Sequence, residues 1–435
     1  MLAASGSSSC LQASRSNPRA TAAPARAPLR PLHPLRRRPT LAPPRSSSSA
    51  SPPPPTPPKS PPPQPLGRTE VEAAEEKKLA DAVAAAGAKA KSLRLAVFSS
   101  QQYVLDHFAP PLRRHFPDTT FIEARLDHET AALAKGHDAI CVFVNDDVSA
   151  PVVERLQKAG VRMIALRCAG YDRVDRPACA AAGIRVARVP TYSPTSVAEM
   201  AVALMFSLSR NLHLIPGRVA AGNYALSGLV GWEVYNQTAV VLGTGAIGAE
   251  ACRIFKGIGM RVLAYDVRPS PIVQAMGVEY GSVEEILPQA DVVSLHMPLL
   301  PSTMNFFNHE KVAMLKPNTL LINVSRGGLV DTDALIAGLE SGQIGGLGLD
   351  VYANEGALFF TDWTSMDTSK RMKFWDRKFK TLISYPQVFV TPHSAFLTHE
   401  ALASIGRTTA VNLLEFVALG EKGKEGKGLT NEVKA

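Results

Sequence analysis

Residues 238–248 read TAVVLGTGAIG, and 261–266 follow with RVLAYD. An apolar β-run, the turn Gly243-Thr244-Gly245-Ala246-Ile247-Gly248, a helix over about 246–258 and a second strand ending in Asp266 make one βαβ unit with the spacing GxGxxG. Asp266 lies 23 residues beyond the first glycine, close to the ~20 at which such units place an acid for an adenosine ribose. Gly243 makes the tight turn, Gly245 lets the backbone approach a pyrophosphate, and Gly248 lets the helix pack on the strand. The amides of Ala246 and Ile247 sit at a helix N-terminus, where partial positive charge favours phosphate. Asp266 accepts from ribose hydroxyls and repels a 2′-phosphate, which favours NAD over NADP; Arg268 pulls weakly the other way. A glycine turn with no ligand is the plain alternative, and the strand before, the helix after and the acid beyond all tell against it.

The alternation of strands and helices extends on both sides. Downstream are DVVSL (291–295), TLLINV (319–324), GGLGLDVY (345–352) and VFVTP (388–392); upstream are LRLAVFS (93–99), AICVFVN (139–145), VRMIALRCA (161–169) and IRVARVP (184–190). Near-continuous apolar strands separated by helices predict parallel sheets covered on both faces. The fold class is therefore α/β, with two doubly wound parallel-sheet domains: a Rossmann-like dinucleotide domain over 194–392 and a split, flavodoxin-like domain over 93–193 plus 393–435. A buried helix is expected from Thr195 to Leu214, with Pro194 at its start and Thr195 or Ser196 as its cap. A last helix, about 399–418, ends at Gly420 and returns to the first domain. Residues 70–92 are charged and Ala-rich, and read as a linker forming a solvated helix.

The net charge of +9 is a property of one end of the chain. Residues 1–69 hold nine Arg, one Lys and no acid, together with 18 of the 34 prolines, and the remainder carries −1. The globular part has no electrostatic case for nucleic acid. The leading segment, rich in Arg and Ser and free of acids, reads as a disordered organelle transit peptide, chloroplast favoured over mitochondrion, and it lacks the apolar core of a secretory signal. No apolar run approaches the ~18–20 residues of a membrane span. The five cysteines show no CxxC spacing, so neither a metal site nor a redox dithiol is expected.

Three further motifs, Ser325-Arg326-Gly327-Gly328, Asp350-Val351-Tyr352-Ala353-Asn354-Glu355 and Pro392-His393-Ser394, resemble those of the D-isomer-specific 2-hydroxyacid dehydrogenases. The resemblance runs from about Leu95 to Val433. FVNDD (143–147), ALRCAGYDRVD (165–175), RVPTYSP (188–194), LSGLVGW (226–232) and HSAFLTHEAL (393–402) resemble the D-lactate dehydrogenase branch. The resemblance implies an NAD-dependent oxidoreductase that interconverts pyruvate and D-lactate, with the split domain as the substrate domain. It implies a catalytic trio. Arg326 would bind the substrate carboxylate and polarise the keto oxygen. His393 would pass a proton to and from that oxygen. Glu355 would hydrogen-bond His393, a neighbour that favours the imidazolium.

Other positions follow from the same resemblance. Met297, Pro298, Thr303, Val324, Ser325 and Asp350 would line the cofactor. Ala169 and Gly170 would receive the substrate carboxylate, Tyr192 would hydrogen-bond it or pack at the hinge, and Phe396 would wall the pocket beside a small side chain. His296 and His309 are expected to be structural. The segment between Glu355 and His393 would cover the active site, its basic residues forming a solvated face. A homodimer or homotetramer is implied, built mainly through the dinucleotide domain. Two alternatives stay open at this level: a reductase of another 2-ketoacid such as glyoxylate or hydroxypyruvate, and a corepressor-like NADH-sensing scaffold on the same fold.

Overall fold

The computed structural model describes residues 70–420 and 428–434. Residues 1–69, and with them the expected transit segment, lie outside the described residues. The described chain forms two sheets, every strand pair within them parallel. The first contains β1 (Leu95–Val97), β2 (Thr119–Phe121), β3 (Ala139–Val142), β4 (Met163–Leu166) and β5 (Arg185–Ala187), in the order β2-β1-β3-β4-β5. The second contains β6 (Thr238–Leu242), β7 (Arg261–Tyr265), β8 (Glu279–Tyr280), β9 (Val292–Leu295), β10 (Thr319–Asn323), β11 (Ile344–Leu349) and β12 (Val388–Val390), in the order β12-β11-β10-β9-β6-β7-β8. Strand order reverses between β1 and β3 and between β6 and β9. At such points adjoining loops diverge and leave a crevice past the strand ends.

Side chains alternate across each strand and bury both faces. Leu95 and Val97 meet Leu402 and Leu413 of the last helix, while Ala96 and Phe98 face Val152 and Leu156 on the other side. In the second sheet Val240 and Leu242 pack toward Leu335, and Ala239 and Val241 toward Met205 and Phe255. Burying each such large side chain stabilises by about 1.5–3 kcal/mol, which is why the apolar runs end up central.

Several local expectations change. β2 and β8 were not foreseen; they are short edge strands with partly exposed side chains and no apolar run. The buried helix spans Pro194–Ser209, not 195–214, and its cap is Ser193, whose hydroxyl accepts from the Ser196 amide at 3.3 Å; Pro194 occupies the first turn. Arg210 and Asn211, the latter in left-handed backbone, end it. The last helix, His399–Leu419, is capped by Thr398. It is long and apolar enough to cross a membrane, but its apolar residues are largely buried against the first sheet. Residues beyond it pair with β5: Val433 N–H donates to Val186 O at 2.9 Å, and Arg185 binds Glu432 at 2.8 Å.

The stretch 70–92 is not a solvated linker. Its helix, Glu70–Ala86, lies along His399–Leu419 and buries Ala82 and Ala86 in the same core as Leu95. Glu75, with 19% of its side chain exposed, accepts from Arg407 at 2.7 Å and from the Ser404 hydroxyl at 2.6 Å. Replacing Arg407 with Met leaves that carboxylate short of a partner, and is expected to cost about 1–3 kcal/mol in urea unfolding. A variant as stable as the parent would show that the Glu75–Arg407 pair contributes nothing to stability.

Candidate active site

Because all strands of a sheet run parallel, the candidate residues collect past their C-terminal ends. Gly243 follows β6, His296 and Met297 follow β9, Arg326 lies three residues after β10, Asp350 ends β11, and His393 lies three residues after β12. From the first sheet, Ala169 lies three residues after β4. A cavity of about 360 Å³ lies among these ends, lined by Ala169, Tyr192, Gly245, Ala246, Ile247, Val324, Ser325, Arg326, His393 and Phe396 of the expected residues. Gly243, Gly248, Asp266, Met297, Pro298, Thr303, Asp350, Glu355 and Gly170 do not line this cavity.

The glycine turn has the form its spacing predicts. Gly243 is left-handed (φ 94°), and a Cβ there would meet the His296 carbonyl at 2.8 Å; a Cβ on Gly248 would stand 1.9 Å from the Gly243 oxygen. Above Gly245 nothing lies within 4 Å of where a Cβ would point. The helix Ala246–Gly257 begins there without a side-chain cap, so its first amides are free toward the open space. That cradle fits a dinucleotide pyrophosphate. Asp266 does more than expected: it accepts from the Thr244 amide at 2.6 Å and the Arg268 amide at 2.9 Å, and Tyr280 donates to the Thr244 hydroxyl at 2.8 Å. Asp266 thus braces the glycine turn.

The ends of β9 and β10 are tied together. Ser325 Oγ donates to the Met297 carbonyl at 2.5 Å, and Thr303 Oγ1 donates to Pro298 O at 2.7 Å, folding the loop after β9. Asn323, fully buried, accepts from the Ser325 amide and donates to Arg326 O, setting the turn that aims Arg326. The Arg326 guanidinium lies against Gly170, where a Cβ would stand 2.0 Å from Nη2, and its Nε is 3.5 Å from Asp172. The glycine in Ala169-Gly170 therefore makes room for the arginine.

His393 also has left-handed backbone (φ 54°). Its Nδ1 is 2.8 Å from Glu355 Oε1, while Glu355 Oε2 accepts from the Tyr352 amide at 3.1 Å. Among the described residues Nε2 makes no hydrogen bond, and it remains for the cavity. Asp350 is fully buried and holds the loop carrying His393, accepting from Thr391 Oγ1 at 2.5 Å, Ser394 N at 2.8 Å and Ala395 N at 2.9 Å. Burial pushes its carboxyl up while these bonds pull it down. Phe396, Phe143 and Phe360 close one end of the site: the Phe143 ring is 5.4 Å from each of the other two.

Two residues of this wall, Arg167 and Cys168, carry no site expectation from the sequence, and a third, His296, is expected to be structural but lines the cavity. Arg167 is 3% exposed, donates to Phe98 O and Ser99 O, and stacks 4.3 Å from the Phe143 ring, with Nε unpartnered. Cys168 is held up at about 12 by burial. His296 lines the cavity with Nε2 on Ser294 and a buried, unpartnered Nδ1. No local signal distinguishes a strand-end residue that turns inward from one that turns away. Tyr192, pushed up to about 12 by burial, stays a neutral phenol.

Residues 202–395 match the family described as D-isomer specific 2-hydroxyacid dehydrogenase, NAD binding domain. The chain is 42% identical over 321 residues to the D-lactate dehydrogenase of Escherichia coli (strain K12), covering 74% of this chain and 96% of that one. Its fold is similar to a solved structure of the pyruvate reductase of Chlamydomonas reinhardtii, at 56% identity and a TM-score of 0.74, covering 76% of this chain and 98% of that one. It is likewise similar to the NAD complexed form of a D-isomer specific 2-hydroxyacid dehydrogenase from Lactobacillus delbrueckii ssp. bulgaricus, at 29% identity and a TM-score of 0.62, covering 78% and 99%.

His296 is lowered to about 4 by burial. The unfolded chain gains a proton there as pH falls from 6.5 to about 4, and the folded chain does not, so stability is lost through that window and no further below it. With one edge of the ring accessible, the loss is about 2 kcal/mol. His296→Asn is expected to remove this part of the pH dependence of the urea midpoint; an unchanged slope would mean that His296 is protonated in the folded chain.

Proposed function

Since the chain belongs to the D-isomer-specific 2-hydroxyacid dehydrogenases, in their D-lactate dehydrogenase branch, we propose that it reduces pyruvate to D-lactate with NADH and runs the reaction in reverse. The observation that carries this reading is the His393–Glu355 pair at 2.8 Å facing the same cavity as Arg326, with the glycine cradle at its edge. Bound NADH supplies the hydride. Gly243, Gly245 and Gly248 with the amides of Ala246 and Ile247 hold the pyrophosphate, Asp266 the adenosine ribose, and Val324, Ser325 and Arg326 with Met297, Pro298, Thr303 and Asp350 shape the nicotinamide side.

The rest of the work falls to the protein. Arg326 takes the substrate carboxylate with both guanidinium arms and, with the Ala169–Gly170 backbone, fixes the keto carbon in the cavity. Glu355 holds Nδ1–H of His393, which sets the tautomer and leaves Nε2 as the atom that carries the moving proton. That proton goes to the carbonyl oxygen in reduction and returns to Nε2 in oxidation. Tyr192, neutral, offers a hydroxyl toward the carboxylate. Phe143 and Phe396 wall one end of the cavity, with Phe360 packed behind Phe143, and a small side chain such as the pyruvate methyl would sit against these rings.

The proposal extends to assembly and address. The segment after Ser209 exposes Tyr224 at 75%, Leu226 at 80% and Val230 at 90%. Apolar residues this exposed in a short run mark a surface that another copy covers, in keeping with a homodimer or a tetramer of such dimers. The composition of residues 1–69 supports an organelle transit peptide, plastid before mitochondrion.

Activity is tested by NADH oxidation with pyruvate, glyoxylate, hydroxypyruvate and phenylpyruvate in parallel, with the chirality of the product assigned. Pyruvate is expected to give the highest kcat/KM and D-lactate, and His393→Ala to lower kcat by on the order of 10²–10⁴-fold with NADH binding retained. Preference for another acid would reassign the substrate, and full turnover in the variant would remove His393 from proton transfer. Leu226→Asp with Val230→Asp is expected to yield monomers in sedimentation velocity; an unchanged mass would place the interface elsewhere.

A further inference from the structure

Beside the catalytic cavity lies a larger one, about 620 Å³, which the proposed reaction does not use. Phe143 belongs to both walls, and Phe360, 6.1 Å from the His393 ring, lines the second. One side of this space is built by the loops after β1, β2, β3 and β4. The other is the segment 354–374, which carries Glu355 near its start.

Its lining combines guanidiniums with aromatic rings. Arg125 gives one bond, from Nη1 to the Gly356 carbonyl at 2.9 Å, and among the described residues the Arg173 side chain, packed against Gly356, makes neither an ion pair nor a hydrogen bond. Glu123 also lines the space, so the set carries one net positive charge. Asn145 is 8% exposed, and its side-chain carbonyl has no donor. Phe359, Trp363 and Phe374 also line the space, the last two with ring centroids 5.1 Å apart. An inorganic anion would leave the aromatic wall wet, and an uncharged arene would leave the guanidiniums without a counterion. An anion on a flat apolar body satisfies both ends.

We propose that this cavity binds a small aromatic carboxylate, its carboxylate on Arg125 and Arg173 and its ring against Phe359, Trp363 and Phe374. An occupant ties the stretch around Glu355 to the loops of the five-stranded sheet without entering the catalytic cavity. It therefore alters turnover without competing for the 2-ketoacid. Only this effect on turnover rests on the proposed reaction; the binding site does not.

The test is calorimetric titration of the full chain with phenylacetate, which has no carbonyl beside its carboxylate to reduce, alone and with NADH plus oxamate filling the catalytic cavity. One site per chain is expected in both cases. Arg173→Gln, at an exposed position outside the catalytic machinery, is expected to weaken it at least tenfold while leaving kcat for pyruvate unchanged without phenylacetate. Absence of binding, or binding that oxamate abolishes and Arg173→Gln does not touch, overturns the proposal. A chain that binds phenylacetate through Arg173 and turns over no 2-ketoacid keeps this site and removes the reaction instead.

Discussion

Asp350 ends β11 with no solvent exposure and commits both carboxylate oxygens to the chain that follows β12. Those bonds fix the backbone on either side of His393, whose own φ of 54° is one that a non-glycine residue holds only when its surroundings impose it. Glu355 then orients the ring, and the Tyr352 amide orients Glu355. The imidazole is thus set by a chain of contacts beginning at one buried anion. The ring's position is thereby fixed by the backbone rather than left to side-chain rotation.

The charges around the cavity are arranged for an anion. Arg326 and Arg167 both line it, and burial keeps the neighbouring ionisable groups neutral: Cys168 as thiol, Tyr192 as phenol, His296 as imidazole. Asp172, 3.5 Å from Arg326 Nε, offsets part of this positive charge, and what remains attracts a carboxylate more strongly than the same residues would in water. The family to which the chain belongs acts on 2-hydroxyacids, and the site has the electrostatics such substrates demand.

Much of this was legible in the sequence, for definable reasons. The glycine turn could be read because each glycine answers a local steric demand, and because strand, helix and acid follow at fixed intervals. Arg326, Glu355 and His393 could be read through resemblance, since each sits in a distinctive short motif. What escaped depended on contacts between distant segments. The helix Glu70–Ala86 looks solvated by composition because its small buried face is alanine, and only Arg407 and the last helix reveal it as part of the core. Ser193 caps the helix for which the sequence offers Thr195 or Ser196, because Pro194 already occupies its first turn. Arg167 and His296 point inward for reasons that lie in the loops across the cleft, and β8, two residues long, has no pattern to read.

The helix Glu70–Ala86 packs along His399–Leu419, and the residues after that helix pair with β5. The five-stranded sheet is therefore finished by the first and last parts of the described chain, while the seven-stranded sheet is formed by the continuous stretch between them. On the ribosome the second can close while synthesis is still under way, but the first must wait for its final helix. Until that helix has been made, the face of the sheet on which Leu402, Leu413 and Leu414 pack stays partly uncovered.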